Sequence, residues 1–172
     1  LYFNLTANFN NNILDHELWL NADKYIPIDP TAIPLGIIDP VADTPFDFTT
    51  SKKISKNILD DNQQLKNGIG YDHCLVFENS DGKVKLQATV YEEESWRLME
   101  VFTDQSAVQF YVGNYLDGSN IGKGNLPYHY RTGLCLETEH YPDSPNQPQF
   151  PSTILEPGEV YSTTTIYKFS TK

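Results

Sequence analysis

Apolar residues recur at every second position along much of this chain, which is the period of a half-buried β-strand. Val84, Leu86, Ala88 and Val90 alternate in this way after Asn79-Ser80-Asp81-Gly82, a turn signal. Residues 97–103 and 107–112 are two more strand-like runs, separated by a short polar break, and residues 92–95 are a charged turn. Residues 161–169 alternate strictly, with Tyr161, Thr163, Thr165, Tyr167 and Phe169 on one side, after a turn at Pro157-Gly158. Residues 133–138 predict a further strand, with Leu134 and Leu136 on one face and the carboxylate of Glu137 on the other. Nearer the start, residues 1–5 read as the end of a strand and residues 7–12 as a polar, Asn-rich turn. Residues 13–22 keep Leu14, Leu18 and Leu20 in strand register around His16, and residues 24–28 predict another short strand. Gly68 and Gly70 open the way into an apolar run ending at Phe77.

The breakers complete the pattern. Pro27, Pro30, Pro34, Pro40 and Pro45 punctuate a stretch that cannot be central sheet, because each removes a backbone donor; it is expected to wrap the outside of the core. Residues 51–61 could hold a short helical turn, and residues 117–125 are a Gly-rich loop. At least seven short strands with almost no helical periodicity predict an all-β fold, an antiparallel β-sandwich or barrel.

Composition narrows the partners. The 172 residues carry a formal charge of −11, which argues against nucleic acid and against anionic membrane surfaces. No apolar run approaches the ~20 residues that would span a bilayer. Cys74 and Cys135 both sit in apolar strand-like runs and are expected to be buried free thiols, not a disulfide framework. Asp15-His16-Glu17 resembles a metal-ligand cluster, but successive strand residues point to opposite faces and cannot converge on one ion. Asn4-Leu5-Thr6 fits a glycosylation sequon inside a strand-like run. The single methionine is Met99, and the chain is expected to be a piece of something longer. A cytoplasmic setting is expected, with secretion left open because a targeting signal would precede Leu1.

Three polar side chains project from otherwise apolar strands: Asp72, Gln109 and Glu137. Two acids and an amide flanked by aromatics suit a sugar, since carboxylates and amides bind hydroxyls and rings cover apolar sugar faces. The chain is rich in such rings, with 11 Tyr, 9 Phe and 2 Trp. A carboxylate at the end of a rigid strand, beside the stiff loop 142–148, is well placed to act as a base. Partial burial beside Leu136, Cys135 and nearby aromatics is expected to raise the Glu137 pKa toward the useful range.

Longer runs add a resemblance. Tyr2-Phe3-Asn4-Leu5, Asp15-His16-Glu17-Leu18, Ile33-Pro34-Leu35-Gly36, Thr44-Pro45-Phe46-Asp47-Phe48, Tyr71-Asp72-His73, Val108-Gln109-Phe110-Tyr111, Gly113-Asn114, Gly133-Leu134-Cys135-Leu136-Glu137-Thr138 and Pro142-Asp143-Ser144-Pro145-Asn146-Gln147-Pro148 together resemble the C-terminal half of the aldose 1-epimerase (galactose mutarotase) family. The resemblance implies a large antiparallel β-sandwich with an open sugar cleft, of which residues 1–172 form the C-terminal part of a single domain. It implies interconversion of the α and β anomers of hexoses such as galactose and glucose, with no cofactor and no metal.

By the same resemblance Glu137 matches the base that deprotonates the anomeric hydroxyl. Asp72 and Gln109 match sugar-hydroxyl ligands, and Tyr2 matches a residue lining the cleft. The acid is a histidine in an Asn-His-x-Tyr-Phe-Asn-Leu motif whose x is Leu1, so it would precede Leu1. None of His16, His73, His129 and His140 matches it. The expected partners are therefore a monosaccharide and the N-terminal half of the same protein, and the chain alone is expected to be inactive. Three other readings of the same residues stand beside this one. One is a glycoside hydrolase using Asp72 and Glu137 as its two carboxylates. Another is a sugar-binding module without catalysis. The third, an enzyme for phosphorylated hexoses, would want an Arg or Lys cluster that the chain does not display.

Overall fold

A computed structural model describes all residues except Ala7, Phe9, Asn10 and Asn79. Parts of two expected turns, 7–12 and 79–82, therefore lie outside the described residues. Among the described residues ten strands form two antiparallel five-stranded sheets. In chain order these are β1 (Glu17–Leu20), β2 (Ala22–Ile26), β3 (Asp39–Pro40), β4 (Lys52–Lys53), β5 (Asp72–Phe77), β6 (Lys85–Glu92), β7 (Arg97–Thr103), β8 (Ala107–Tyr111), β9 (Cys135–Glu139) and β10 (Thr165–Thr171). One sheet runs β10-β7-β6-β1-β4 and the other β3-β2-β5-β8-β9.

The inward residues of both sheets meet in one apolar cluster, which makes this a sandwich. Leu18, Val90 and Met99 from the first sheet join Leu75, Phe110 and Leu136 from the second. Alternation does the sorting: Val108 and Phe110 go inward from β8, while Gln109 and Tyr111 stay on the outer face.

Four expectations are corrected. Residues 13–22 are not one strand: the chain breaks at Asn21, and β1 and β2 belong to different sheets. Asn21 makes the crossing possible by bonding away its own polar groups: its backbone N–H donates to the Gln87 carbonyl at 2.9 Å and its side-chain amide to Gln87 Oε1 at 2.8 Å. Residues 1–5 contribute only an isolated bridge, Phe3 to Leu134, and no strand. The final strand begins at Thr165, so Tyr161 and Thr163 lie before it. The proline-punctuated stretch does keep off the central strands, with β3 at a sheet edge, but its last part enters the core. Phe46 stacks on Tyr25 at 4.7 Å, and Phe48 meets Tyr71 and Phe110 edge-on at 5.3 and 5.5 Å. Buried aromatic area outweighs the proline pattern there, since each ring buries roughly 150–250 Å².

The turn expected within residues 51–61 is present as a 3₁₀ segment, Ile54–Lys56. A helix that the pattern did not announce, α1 (Gln63–Asn67), follows it. Asn62 caps α1 by accepting from the N–H groups of Gln64 and Leu65. The helix anchors a distant part of the chain. Gln64 both accepts from the Ile28 N–H at 2.8 Å and donates to the Ile28 carbonyl at 3.1 Å. Asn67 donates to that carbonyl as well, at 2.7 Å. The loop that starts at Ile28 is thereby tied to the body of the sandwich.

That loop is held at its other end by the 142–149 segment. Gln147 donates to the Pro34 carbonyl at 3.4 Å, and Gln149 donates to the Gly36 carbonyl. Gly36 has φ +75°, and a Cβ there would collide with the side-chain ends of Gln147 and Gln149. Gly36→Ala is expected to destabilise the protein by about 1–2 kcal/mol, mostly from the left-handed backbone and partly from displacing the two glutamines. A urea midpoint unchanged from wild type would refute this.

Candidate functional site

The outer face of the β3-β2-β5-β8-β9 sheet gathers the polar residues that the strands display. Strand register fixes their order. Asp72, Tyr111 and Cys135 lie in one row across β5, β8 and β9, and Cys74, Gln109 and Glu137 lie in the next. Gln109 Nε2 donates to Asp72 Oδ1 at 2.7 Å, a diagonal contact between neighbouring strands. Three of the four residues singled out from the sequence are thus adjacent: Asp72 touches Gln109, and Gln109 stands directly opposite Glu137. The fourth, Tyr2, lies at the Tyr111 end of the face, its ring edge-on to Tyr111 at 6.2 Å. Gly133 lets it settle there, since a Cβ on Gly133 would press on the Tyr2 ring at 3.2 Å.

Glu137 departs from one expectation. It is exposed, not partly buried, because Leu136 turns away into the core and leaves Glu137 standing on the open outer face. Its negative charge nevertheless reaches several groups around it. It helps to raise the pKa of Tyr2, which burial and the neighbouring Cys135 and Tyr111 lift to about 12. Burial raises Asp72 too, against the lowering effect of the Gln109 hydrogen bond, with Glu137 adding to the rise. Burial first and Glu137 second push the Cys135 thiol to about 12, and burial raises Cys74 well above its ordinary value. Both cysteines are free and buried, as the apolar runs predict, and neither is a nucleophile at neutral pH.

One acid on this face escaped the sequence reading. Glu139, two residues beyond Glu137, points to the same side, and the period-2 pattern of β9 could have flagged it. Burial is the main cause, and the Glu137 charge the second, that push its pKa up to about 7. The neighbouring Cys74 thiol opposes that rise, and Glu139 Oε1 is buried with no hydrogen-bond partner. Glu139, Asp72, Gln109 and Cys74 line a cavity of about 180 Å³ together with Ile26, Ile28, Ala32, Pro34 and Pro142. Ile28, Ala32 and Pro34 belong to the loop that α1 and the two glutamines hold in place. Larger hollows of about 350 and 510 Å³ lie elsewhere, and none of Tyr2, Asp72, Gln109 and Glu137 lines them.

The histidines stand apart from this face. His73 lies on the core face of β5, where it accepts the Asp72 N–H on Nδ1 at 3.2 Å. His16 accepts the Leu5 N–H at 2.9 Å and is fully buried. His129 packs beside Gly118 and His140 beside Tyr161. Among the described residues no group of three His, Cys, Asp or Glu side chains is placed to hold a metal ion, and in the 15–17 run His16 is buried while Asp15 reaches Lys53 in solvent. Among the described residues no helix is long and apolar enough to cross a membrane. Asn4, the sequon residue, spends its side-chain amide on the carbonyls of Asn11 and Thr132.

Comparison with known proteins gives this face its context. A family model described as aldose 1-epimerase matches residues 1–168. Galactose mutarotase of Mus musculus is 45% identical over 169 residues, covering 98% of this chain and 48% of the relative. Aldose 1-epimerase of Escherichia coli is 40% identical over 172 residues, covering 98% of this chain and 49% of the relative. The crystal structure of a GalM/aldose epimerase homologue from C. elegans superposes with a TM-score of 0.84 at 26% identity, covering 99% of this chain and 49% of that one. The chain therefore spans about half the length of the relatives it matches, with a shared all-β sandwich. It belongs to the aldose 1-epimerase family.

Proposed function

We propose that this chain is the C-terminal portion of one hexose mutarotase domain and carries the general base of the reaction. The observation that supports this most is the Asp72–Gln109–Glu137 group on three adjacent strands, with the amide bonded to the acid at 2.7 Å and facing the second acid. Glu137 takes the proton from the anomeric hydroxyl of galactose or glucose. Asp72 and Gln109 hold other hydroxyls, and Tyr2 lines the cleft. Protonation of the ring oxygen opens the ring; rotation about C1–C2 and closure on the other carbonyl face give the second anomer. Acid and base exchange roles on closure.

The acid is assigned to a histidine immediately before Leu1 in a longer polypeptide. Two of the histidines present here are poor candidates: His16 and His73 are buried, and burial lowers their pKa values to about 4 and about 3. An acid that weakly populated in its charged form contributes little at neutral pH. The complementary half of the same protein is accordingly the expected partner. Two buried free thiols fit a reducing, cytoplasmic setting.

Polarimetry tests this directly. The full-length polypeptide is expected to accelerate the optical-rotation change of freshly dissolved α-D-galactose and α-D-glucose, and the 172-residue chain is expected not to. Methyl α-D-galactoside, which lacks a free anomeric hydroxyl, is expected to stay intact with either. Near-normal mutarotation by the chain alone would overturn the acid assignment, and cleavage of the glycoside would replace the mutarotase reading with hydrolysis.

A further inference from the structure

Glu139 has features that the proposed mechanism does not use. It ends β9 at the rim of the cavity, two residues from Glu137 on the same face. Its Oε1 is buried without a hydrogen-bond partner, and an unmet buried carboxylate oxygen is costly to maintain. The cavity it lines also receives Asp72 and Gln109. Ile28, Ala32 and Pro34 add apolar lining to it, and Ile28 is braced by α1 through Gln64 and Asn67. A site that combines polar groups with apolar lining suits a pyranose, which carries both hydroxyls and C–H faces.

We infer that Glu139 is a further substrate-binding residue, whose carboxyl takes a sugar hydroxyl at the β9 end of the cavity it lines with Asp72 and Gln109, remote from the anomeric carbon held at Glu137. This inference rests on the mutarotase reading and extends it from a base with two hydroxyl ligands to a base with three. Burial and the Glu137 charge, against the Cys74 contact, hold the Glu139 pKa at about 7. At neutral pH the carboxyl therefore occurs both as an acceptor and as a donor, and a hydroxyl partners either. The role assigned is binding, not proton transfer to the reacting atoms.

The test is a cycle of protein and sugar deletions in the full-length protein. Glu139→Leu keeps the volume and removes the hydrogen bond; Glu139→Gln keeps both shape and hydrogen-bonding capacity. Mutarotation kinetics are read for galactose and for its 2-, 3-, 4- and 6-deoxy analogues. Glu139→Leu is expected to raise KM for galactose about tenfold or more with kcat within threefold, while Glu139→Gln stays near wild type. For one deoxy analogue the Leu variant is expected to cost nothing beyond wild type, because the hydroxyl it would have held is already absent. Equal losses across all sugars, or none with galactose, would overturn the assignment, and the near-wild-type behaviour of Glu139→Gln excludes a simple folding defect. Wild-type mutarotation tests the underlying reading separately: with that rate intact, loss of the coupling removes Glu139 alone.

Discussion

Glu137→Gln in the full-length protein is expected to lower kcat for galactose mutarotation by about 10²–10⁴-fold, the range attributable to one positioned acid–base group. Glutamine preserves the size of the side chain and its place opposite Gln109, so KM is expected to change little. Because Glu137 is exposed and outside the apolar core, stability is expected to stay within about 0.5 kcal/mol of wild type. The variant has a second signature. Removing the Glu137 charge withdraws one of the causes that raise Glu139, Asp72 and Tyr2, so the pKa of each is expected to fall. Polarimetry with galactose, paired with NMR titration of the Glu139 carboxyl, reads both effects. Equal rates for wild type and variant would remove Glu137 as the base. A fallen rate with an unmoved Glu139 titration would show that the two acids are electrostatically separate.

Why was Glu137 visible in the sequence while Glu139 was not? Glu137 directly follows the apolar run Leu134-Cys135-Leu136 and is the first polar residue after it. Glu139 is followed by His140 and a string of turn residues, where an acid looks like ordinary solvated surface. Its burial comes from elsewhere in the chain. The Ile28–Pro34 loop lines one cavity with Glu139, and only three-dimensional packing brings that loop to β9. The sheets themselves were legible for the same reason that Glu137 was: β6, β7 and β8 are amphipathic with period 2, and their register follows from burying one face. Where burial and local pattern diverge, the sequence misleads. Phe46 and Phe48 sit between breakers, yet they plug the core. The continuous apolar register of residues 13–22 hides a crossing between sheets that depends on Asn21 meeting Gln87, a long-range pair that no local pattern encodes. The short α1 helix is held mainly by its Asn62 cap and its contacts with Ile28, not by periodicity.

Acidification from pH 6.5 to pH 4 is expected to destabilise the protein by several kcal/mol through two buried histidines. Burial lowers the pKa of His16 to about 4, against the opposing pull of Glu92 and Asp15, and burial lowers that of His73 to about 3. Geometry agrees with both directions. His16 Nε2 accepts the Leu5 N–H, and His73 Nδ1 accepts the Asp72 N–H, so protonating either nitrogen would set two donors against each other. In the unfolded chain both rings titrate at ~6.5. Below that pH the unfolded state binds protons that the folded state refuses, and stability falls as pH falls. The stability is whole above about pH 6.5; the His16 part is lost down to its folded value of about 4, and the His73 part down to about 3. At pH 4 each histidine costs on the order of 3 kcal/mol. Glu139 acts in the opposite sense. Its folded pKa of about 7 lies above that of a free carboxyl, so it favours the folded state at low pH, and that help is lost as pH rises through 7. Solvent access to its carboxyl damps this term, so the two histidines win. Urea midpoints measured at pH 7, 5.5 and 4.5 are expected to fall steadily. In Glu139→Gln, where the opposing term is gone, the fall is expected to be steeper. A wild-type midpoint that rises on acidification would mean that His16 and His73 accept protons in the folded state, and the buried neutral tautomers assigned to them would be wrong.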